Sequence, residues 1–379
     1  MISGDRSILQ GKKGAFFYTL EEFSKHWDQI DVICPKVPSA KGKVPSPFSN
    51  VHFHPNPGGL LSQSSWILKK GKELIAACRH DVMTVHEYPP FYNGFGARKL
   101  VKSTGIPYMI EVHHIVGYPV AASFIELIGR WMSRFWIPAS AAAAKAVRIV
   151  SGEIEPVLMR WGIPEEKIRV LSSFYLDRGA LQPNPSIQKK YDVVFCARLV
   201  ANKGWQELLN AVAKLSSVKL LIIGDGPDRK ALEAKVRSLH LSDRVHIAGW
   251  LATKEDVYRA IQSGKIFVMN SSSEGGPRVA LEAMALGLPI ICTNVGIMPI
   301  AVEDGANGIF TTGTADDLAE KLQSLLTDTA RREKIAKEAS TVIQLFERAA
   351  LIREYANFLK QLSSAPPELR RRVAAAENV

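Results

Sequence analysis

Two carboxylates, Glu274 and Glu282, have seven residues between them in the stretch SEGGPRVALEAMALGLP, which also holds Gly275, Gly276, Pro277 and Arg278. The first sits in a turn-like segment; the second falls in a run that reads as helix, with Gly287 as its stop. Pro277 suits the first helical position, because its missing N–H costs nothing there. A helix N-terminus preceded by glycines presents free N–H groups and roughly half a positive charge, an arrangement that suits a phosphate. Arg278 opposes that dipole by roughly 0.3–1 kcal/mol unless an anion docks beside it. Carboxylates accept hydrogen bonds from vicinal hydroxyls, so sugar diols are natural partners for both glutamates.

Further cations and histidines stand at the ends of apolar runs. Arg198 and Lys203 follow the run Asp192–Ala197 and could straddle a diphosphate, Arg as a fork and Lys as a point charge. Glu111-Val-His-His-Ile115 puts His113 at a strand end, with His114 pointing the other way if the strand continues. His86-Glu87 ends another run. His52-Phe-His54 has period-two spacing, but the sequence offers no third ligand beside it and no Asp-x-Asp anywhere, so no metal site is expected. Trp250, after Gly249, could stack on a flat ring or pack in the interior. The loop Gly11-Lys-Lys-Gly14 carries two lysines that could meet an acidic acceptor or stay solvated.

The elements needed to position these residues are legible as alternating apolar runs and helical stretches. Runs near 31–34, 82–85, 108–111 and 147–151 occupy the first half. After a break near 182–190, runs at 192–197, 218–223, 244–248, 265–269 and 288–292 alternate with helices that begin near Gly204, Pro227, Lys254, Pro277 and Asp316. Such alternation predicts an α/β protein of two tandem doubly wound, Rossmann-like domains, with ligands outside the carboxyl ends of the strands and a cleft between domains. The expected boundaries are 1–175, 176–345 and a tail 346–379, with one long helix over about 340–362. The first strand is only a stub, Met1–Ser3.

The 273–289 stretch resembles the signature of retaining GT-B glycosyltransferases of family four, where a Ser-Glu-Gly loop leads into a helix with a second glutamate. Phe195–Gly204, Gly224-Asp-Gly-Pro227 and Glu303–Gly308 are similar to further segments of that family, in its order, across roughly 192–322. The chain departs from the pattern at Gly296-Ile-Met-Pro-Ile300, where an acidic residue is common. The resemblance implies a GT-B fold whose C-terminal helix crosses back to the N-terminal domain, and an enzyme that transfers a sugar from a nucleotide-diphosphate donor with retention. It implies that Glu282 binds the ribose, Glu274 the transferred sugar, and Arg198 and Lys203 the diphosphate. His113 would stand beside the donor sugar, His86 near the acceptor, Gly14 in the loop that approaches both, and Trp250 near the base. No metal or other cofactor is implied, because the cations and the helix N-terminus carry the leaving-group charge. The leaving phosphate takes the acceptor's proton, so no protein nucleophile is required. A sugar-nucleotide 2-epimerase of related architecture and a catalytically silent sugar-nucleotide-binding partner are the alternatives.

Composition bounds the partners. The chain of 379 residues has a net charge of +11, and residues 1–175 hold 21 Lys and Arg against 14 Asp and Glu. A basic surface suits phosphorylated small molecules, anionic lipid or nucleic acid, and no nucleic-acid-binding signature accompanies it. A glycan or lipid-linked acceptor from cell-surface polysaccharide synthesis is the expected second substrate. Four widely spaced cysteines read as buried free thiols, and no secretory signal is evident, so the expected location is the cytoplasm, with peripheral contact to the inner face of the membrane left open. The aromatic stretch Phe124–Ile137, carrying Arg130 and Arg134, reads as a buried crossover helix in preference to an interfacial one.

Overall fold

The computed structural model describes residues 1–37, 46–118, 124–274 and 276–364. The chain divides into two compact units, 1–173 with the chain from Ala349 onward, and Phe174–Arg348.

In the first unit every strand pairing is parallel. Strands Val51–Pro55 and Ile30–Cys34 pair on one side, and Met83–His86, Tyr108–Val112, Ala146–Ile149 and Ile168–Val170 follow in order on the other. The stub at the chain start joins them: Ile2 bridges both Ile33 and Val85, so one residue does the work of the central strand. The strands Ile30–Cys34, Tyr108–Val112 and Ala146–Ile149 are buried throughout, as expected where helices cover both faces. The helices Gln63–Cys78 and Tyr92–Thr104 pack against each other closely enough that Gly71 and Gly96 have no room for a side chain.

The second unit has a six-stranded parallel sheet, ordered Ile309–Thr311, Ile290–Thr293, Gly264–Met269, Tyr191–Cys196, Leu220–Ile223 and Val245–Gly249. The strand order turns back on either side of the first strand, which is the topological switch point of a doubly wound sheet. Helices start at Trp205, Arg229, Lys254, Arg278 and Ala315. Strands 51–55, 168–170 and 309–311, which the apolar runs do not announce, are short edge or near-edge strands.

Three expectations need correcting. The C-terminal helix is two pieces, Val342–Leu345 and Arg348–Ser364, because the intervening backbone is diverted: Leu176 donates its N–H to Phe346 O at 2.7 Å and bridges Glu347. Cys78 is exposed at a helix end, whereas Cys34 and Cys292 are buried. The helix Phe124–Ala143 is not a core element. Its buried stripe is Gly129, Ser133, Ile137, Ser140 and Ala141, mostly small residues, so it seats closely and turns its large apolar side chains outward. Phe124, Ile125, Leu127, Ile128, Trp131 and Phe135 are each between 44% and 79% exposed.

Candidate functional site

In the second unit, loops at the carboxyl ends of four strands knit together. Gly204 adopts a left-handed conformation (φ 67°), and a Cβ there would lie 2.0 Å from the Asn270 carbonyl oxygen. Asn270 donates from Nδ2 to Gly204 O (3.2 Å) and Gly313 O (3.0 Å), and Ser272 N–H donates to Asn202 O (2.8 Å). Gly224 (φ 128°) brings its loop so close that a Cβ would sit 1.9 Å from Ala197 O. Only glycine tolerates both the backbone angle and the approach.

This knitting brings Lys203 to Glu274. The Lys203 ammonium donates to Glu274 Oε1, which also accepts from Ser271 Oγ at 2.8 Å. Both side chains are more than four-fifths buried. Arg198, two residues beyond the strand Tyr191–Cys196, is exposed. Gly275 lies outside the described residues. Gly276 faces the Phe174 ring with no room for a Cβ. Pro277 is the cap of the helix Arg278–Ala285 and not its first residue, so Arg278 opens the helix. Gly287 (φ 78°) ends it: the N–H of Gly287 donates to Met284 O and that of Leu288 to Ala283 O.

Glu282 lies one turn beyond Arg278 and accepts a hydrogen bond from Tyr258 OH at 3.1 Å. Burial pushes its carboxyl above the usual range, against the opposing pull of Arg278, Tyr258 and Lys254. Tyr258 was not singled out by the sequence; it is 24 residues away on another helix, and spacing carries no signal for it. Trp250 is 77% exposed, which removes the interior alternative for its ring.

In the first unit, His86 and His113 leave adjacent parallel strands and meet with ring centroids 4.3 Å apart. Burial lowers the His86 pKa to about 4, with His113 adding to the effect, so His86 is neutral at pH 7. His113 Nε2 lies 3.4 Å from Glu111 Oε2. Glu111 is buried and anchors the group: Arg148 Nη1 reaches Oε2 at 2.6 Å and Tyr355 OH donates to Oε1 at 2.9 Å. The Arg148 guanidinium lies 4.0 Å from the Tyr355 ring centroid. This Glu111–Arg148–Tyr355 support also escaped the sequence reading, because its members are brought together from distant strands and the last helix. His114 is exposed and Gly14 caps the helix Ala15–Phe23. Lys13 stands 5.4 Å over the Phe17 ring.

Two doubly wound parallel-sheet units in one chain, each with its polar groups gathered at the carboxyl ends of the strands, have the GT-B architecture. The chain belongs to the group 1, family 4 glycosyltransferases: residues 179–342 match the family described as Glycosyl transferases group 1, and residues 16–174 the one described as Glycosyltransferase Family 4. Over 211 residues it is 31% identical to the lipopolysaccharide core biosynthesis glycosyltransferase LpsE of Rhizobium meliloti, covering 53% of this chain and 59% of that relative. Its fold is similar to that of sucrose-phosphate synthase from Thermosynechococcus elongatus, with a TM-score of 0.76 and 21% identity over 93% of this chain and 94% of the other. It is also similar to that of Anabaena HepE in complex with UDP and glucose, with a TM-score of 0.70 and 21% identity over 95% and 98%.

Proposed function

We propose that this chain is a retaining, metal-independent glycosyltransferase that moves a sugar from a nucleotide-diphosphate sugar to a glycan or glycolipid acceptor in cell-surface polysaccharide synthesis. The observation that carries this reading is the Lys203–Glu274 contact, held by interlocked loops at a sheet switch point. One oxygen of Glu274 is fixed by Lys203 and Ser271, which orients the carboxylate to accept sugar hydroxyls with its other oxygen. Arg198, Lys203 and the helix N-terminus led by Gly275, Gly276, Pro277 and Arg278 suit the leaving diphosphate. Glu282 serves the ribose and Trp250 the base. His113 serves the donor sugar, and His86 and the Gly14 loop the acceptor. UDP is the first nucleotide to test, because the similar HepE structure contains it.

The deciding experiment follows nucleotide release across a panel of sugar nucleotides, with and without lipid-linked glycan acceptors. Release that requires an acceptor supports transfer. Conversion of the donor sugar without acceptor would make the chain an epimerase. Tight donor binding with no turnover for any acceptor would make it a silent binding partner.

Donor affinity gives a separate check. Glu282→Gln keeps the shape but loses the charge that accepts the ribose hydroxyls, and hydrogen bonds to a charged group contribute about 1.5–3 kcal/mol. Calorimetry with UDP is expected to show binding about 10–100-fold weaker than in the unmodified chain.

Among the described residues no helix is long and apolar enough to cross a membrane. The outward apolar face of helix Phe124–Ala143, with Arg130 and Arg134 alongside, suits peripheral contact with an anionic bilayer on its cytoplasmic side. Burying one large apolar side chain contributes about 1.5–3 kcal/mol. Ile125→Asp with Trp131→Ser is therefore expected to reduce cosedimentation with phosphatidylglycerol vesicles by about 10-fold or more. Unchanged binding would remove this helix from the contact.

A further inference from the structure

The first unit holds a second cluster of reactive side chains, built on the amino end of strand Ile30–Cys34 and the segment that precedes strand Met83–His86. Asp31, the second residue of strand Ile30–Cys34, is buried. His54, from the adjacent parallel strand, places Nε2 2.5 Å from Asp31 Oδ1. The helix Gln63–Cys78 ends in the same corner. Cys78 is its last residue, Arg79 turns left-handed (φ 49°), and the turn delivers His80, whose Nε2 lies 2.9 Å from Asp31 Oδ2.

One ligand atom each from Asp31, Cys78 and His80 lie within 4.8 Å of one another. The Gln29 amide spans the same space, donating to Asp31 Oδ2 at 2.7 Å and to Cys78 Sγ at 3.3 Å. His80 Nε2 is buried, stands 2.9 Å from Asp31 Oδ2 and has no partner besides this carboxylate. An imidazole nitrogen, a thiol and a carboxylate converging on one corner are donors that a shared cation can join.

The donor types narrow the cation. Thiolate, imidazole and carboxylate together suit zinc; a thiolate argues against magnesium or calcium. Ligand atoms around tetrahedral zinc stand roughly 3.3–3.8 Å apart, given bonds of about 2.0–2.3 Å. To reach that spacing His80 moves slightly outward from Asp31, Cys78 closes on both, and the Gln29 amide leaves the space between Asp31 and Cys78. His54, on the other carboxylate oxygen, would orient Asp31 as outer-sphere partners of metal ligands do. Cys78 is exposed, so an ion can enter.

We propose that Asp31, Cys78 and His80 form a zinc-binding site, completed by water and oriented by His54, that ties the end of helix Gln63–Cys78 to the sheet. Binding releases the Cys78 thiol proton. The site plays no part in sugar transfer and rests on no reading of that reaction. His52 and His54 alone gave no reason to expect a metal; it is the fold that adds Asp31, Cys78 and His80 to His54, while His52 remains exposed.

The test uses the full chain without an affinity tag, stripped with EDTA and titrated with zinc against a chromophoric chelator. One zinc per chain is expected, together with a higher melting temperature. Cobalt in its place is expected to give near-ultraviolet thiolate-to-metal absorption, which Cys78→Ser removes although Cys34, Cys196 and Cys292 remain. His54→Ala is expected to weaken zinc by about 10–100-fold, and Cys78→Ser and His80→Ala by more. If His80→Ala fails to fold, Cys78→Ser, at an exposed position, carries the comparison; its melting temperature in EDTA should match that of the parent chain. Absence of stoichiometric zinc overturns the proposal, as does zinc binding or stabilisation that survives Cys78→Ser.

Discussion

Replacing Glu274 with alanine is expected to lower kcat by about 10²–10³-fold, the loss seen when one preorganised electrostatic contact to a reacting group is removed. The carboxylate is held on one side by Lys203 and Ser271, so its orientation needs no rearrangement when substrate arrives. Lys203→Ala should produce a fall of similar size for two reasons at once: it removes the cation proposed for the diphosphate and releases Glu274. The double substitution should then be little worse than either single one, because residues that act as a unit do not add. UDP affinity separates the two roles, falling in Lys203→Ala and holding nearly steady in Glu274→Ala. A merely structural ion pair would instead register in the melting temperature of both variants and leave kcat unchanged.

The second large effect is on stability. Arg148→Met is expected to destabilise the first unit by about 3–5 kcal/mol, measured by urea unfolding, because it strands the buried carboxylate of Glu111. Burial alone would push the Glu111 carboxyl up; the Arg148 guanidinium and His113 outweigh it and hold the folded value well below the usual range. A carboxyl whose folded pKa lies below its unfolded value of about 4.3 contributes stability fully above that pH and loses it as pH falls. In Arg148→Met burial prevails and the folded pKa rises above the unfolded one. The stability of the variant should therefore decline as pH rises from about 4.3 toward neutrality, a range over which the Glu111 contribution in the parent chain is level. The two curves should approach each other in acid. Parallel curves across this range would show that Arg148 is not what keeps Glu111 ionised.

The parallel alternation was readable from the sequence because strands buried on both faces must be apolar throughout. Leu220–Ile223 and Ile290–Thr293 carry that signal with little ambiguity. The segment 270–278 was readable as a strand-end loop for a related reason: glycines, a proline and charged residues interrupt the apolar run that precedes them. The short edge strands escaped because three residues, such as Ile309–Thr311, carry no period. The helix Phe124–Ala143 misled because apolar side chains all round suit an interior position. Its close seating through Gly129, Ser133 and Ser140 is what leaves the larger residues outside.

The class of fold and the polar segments at the strand ends could be read from composition and period, because both are local properties of the chain. Only the tertiary structure decided partnerships. Lys203 reaches Glu274 across 71 positions, Tyr258 reaches Glu282 across 24, and Tyr355 reaches Glu111 across 244. Asp31 likewise meets His54 and His80 only after the strands pair and the helix Gln63–Cys78 returns to the sheet. Such contacts are set by how crossover connections fold back onto a sheet, and no local spacing encodes that geometry.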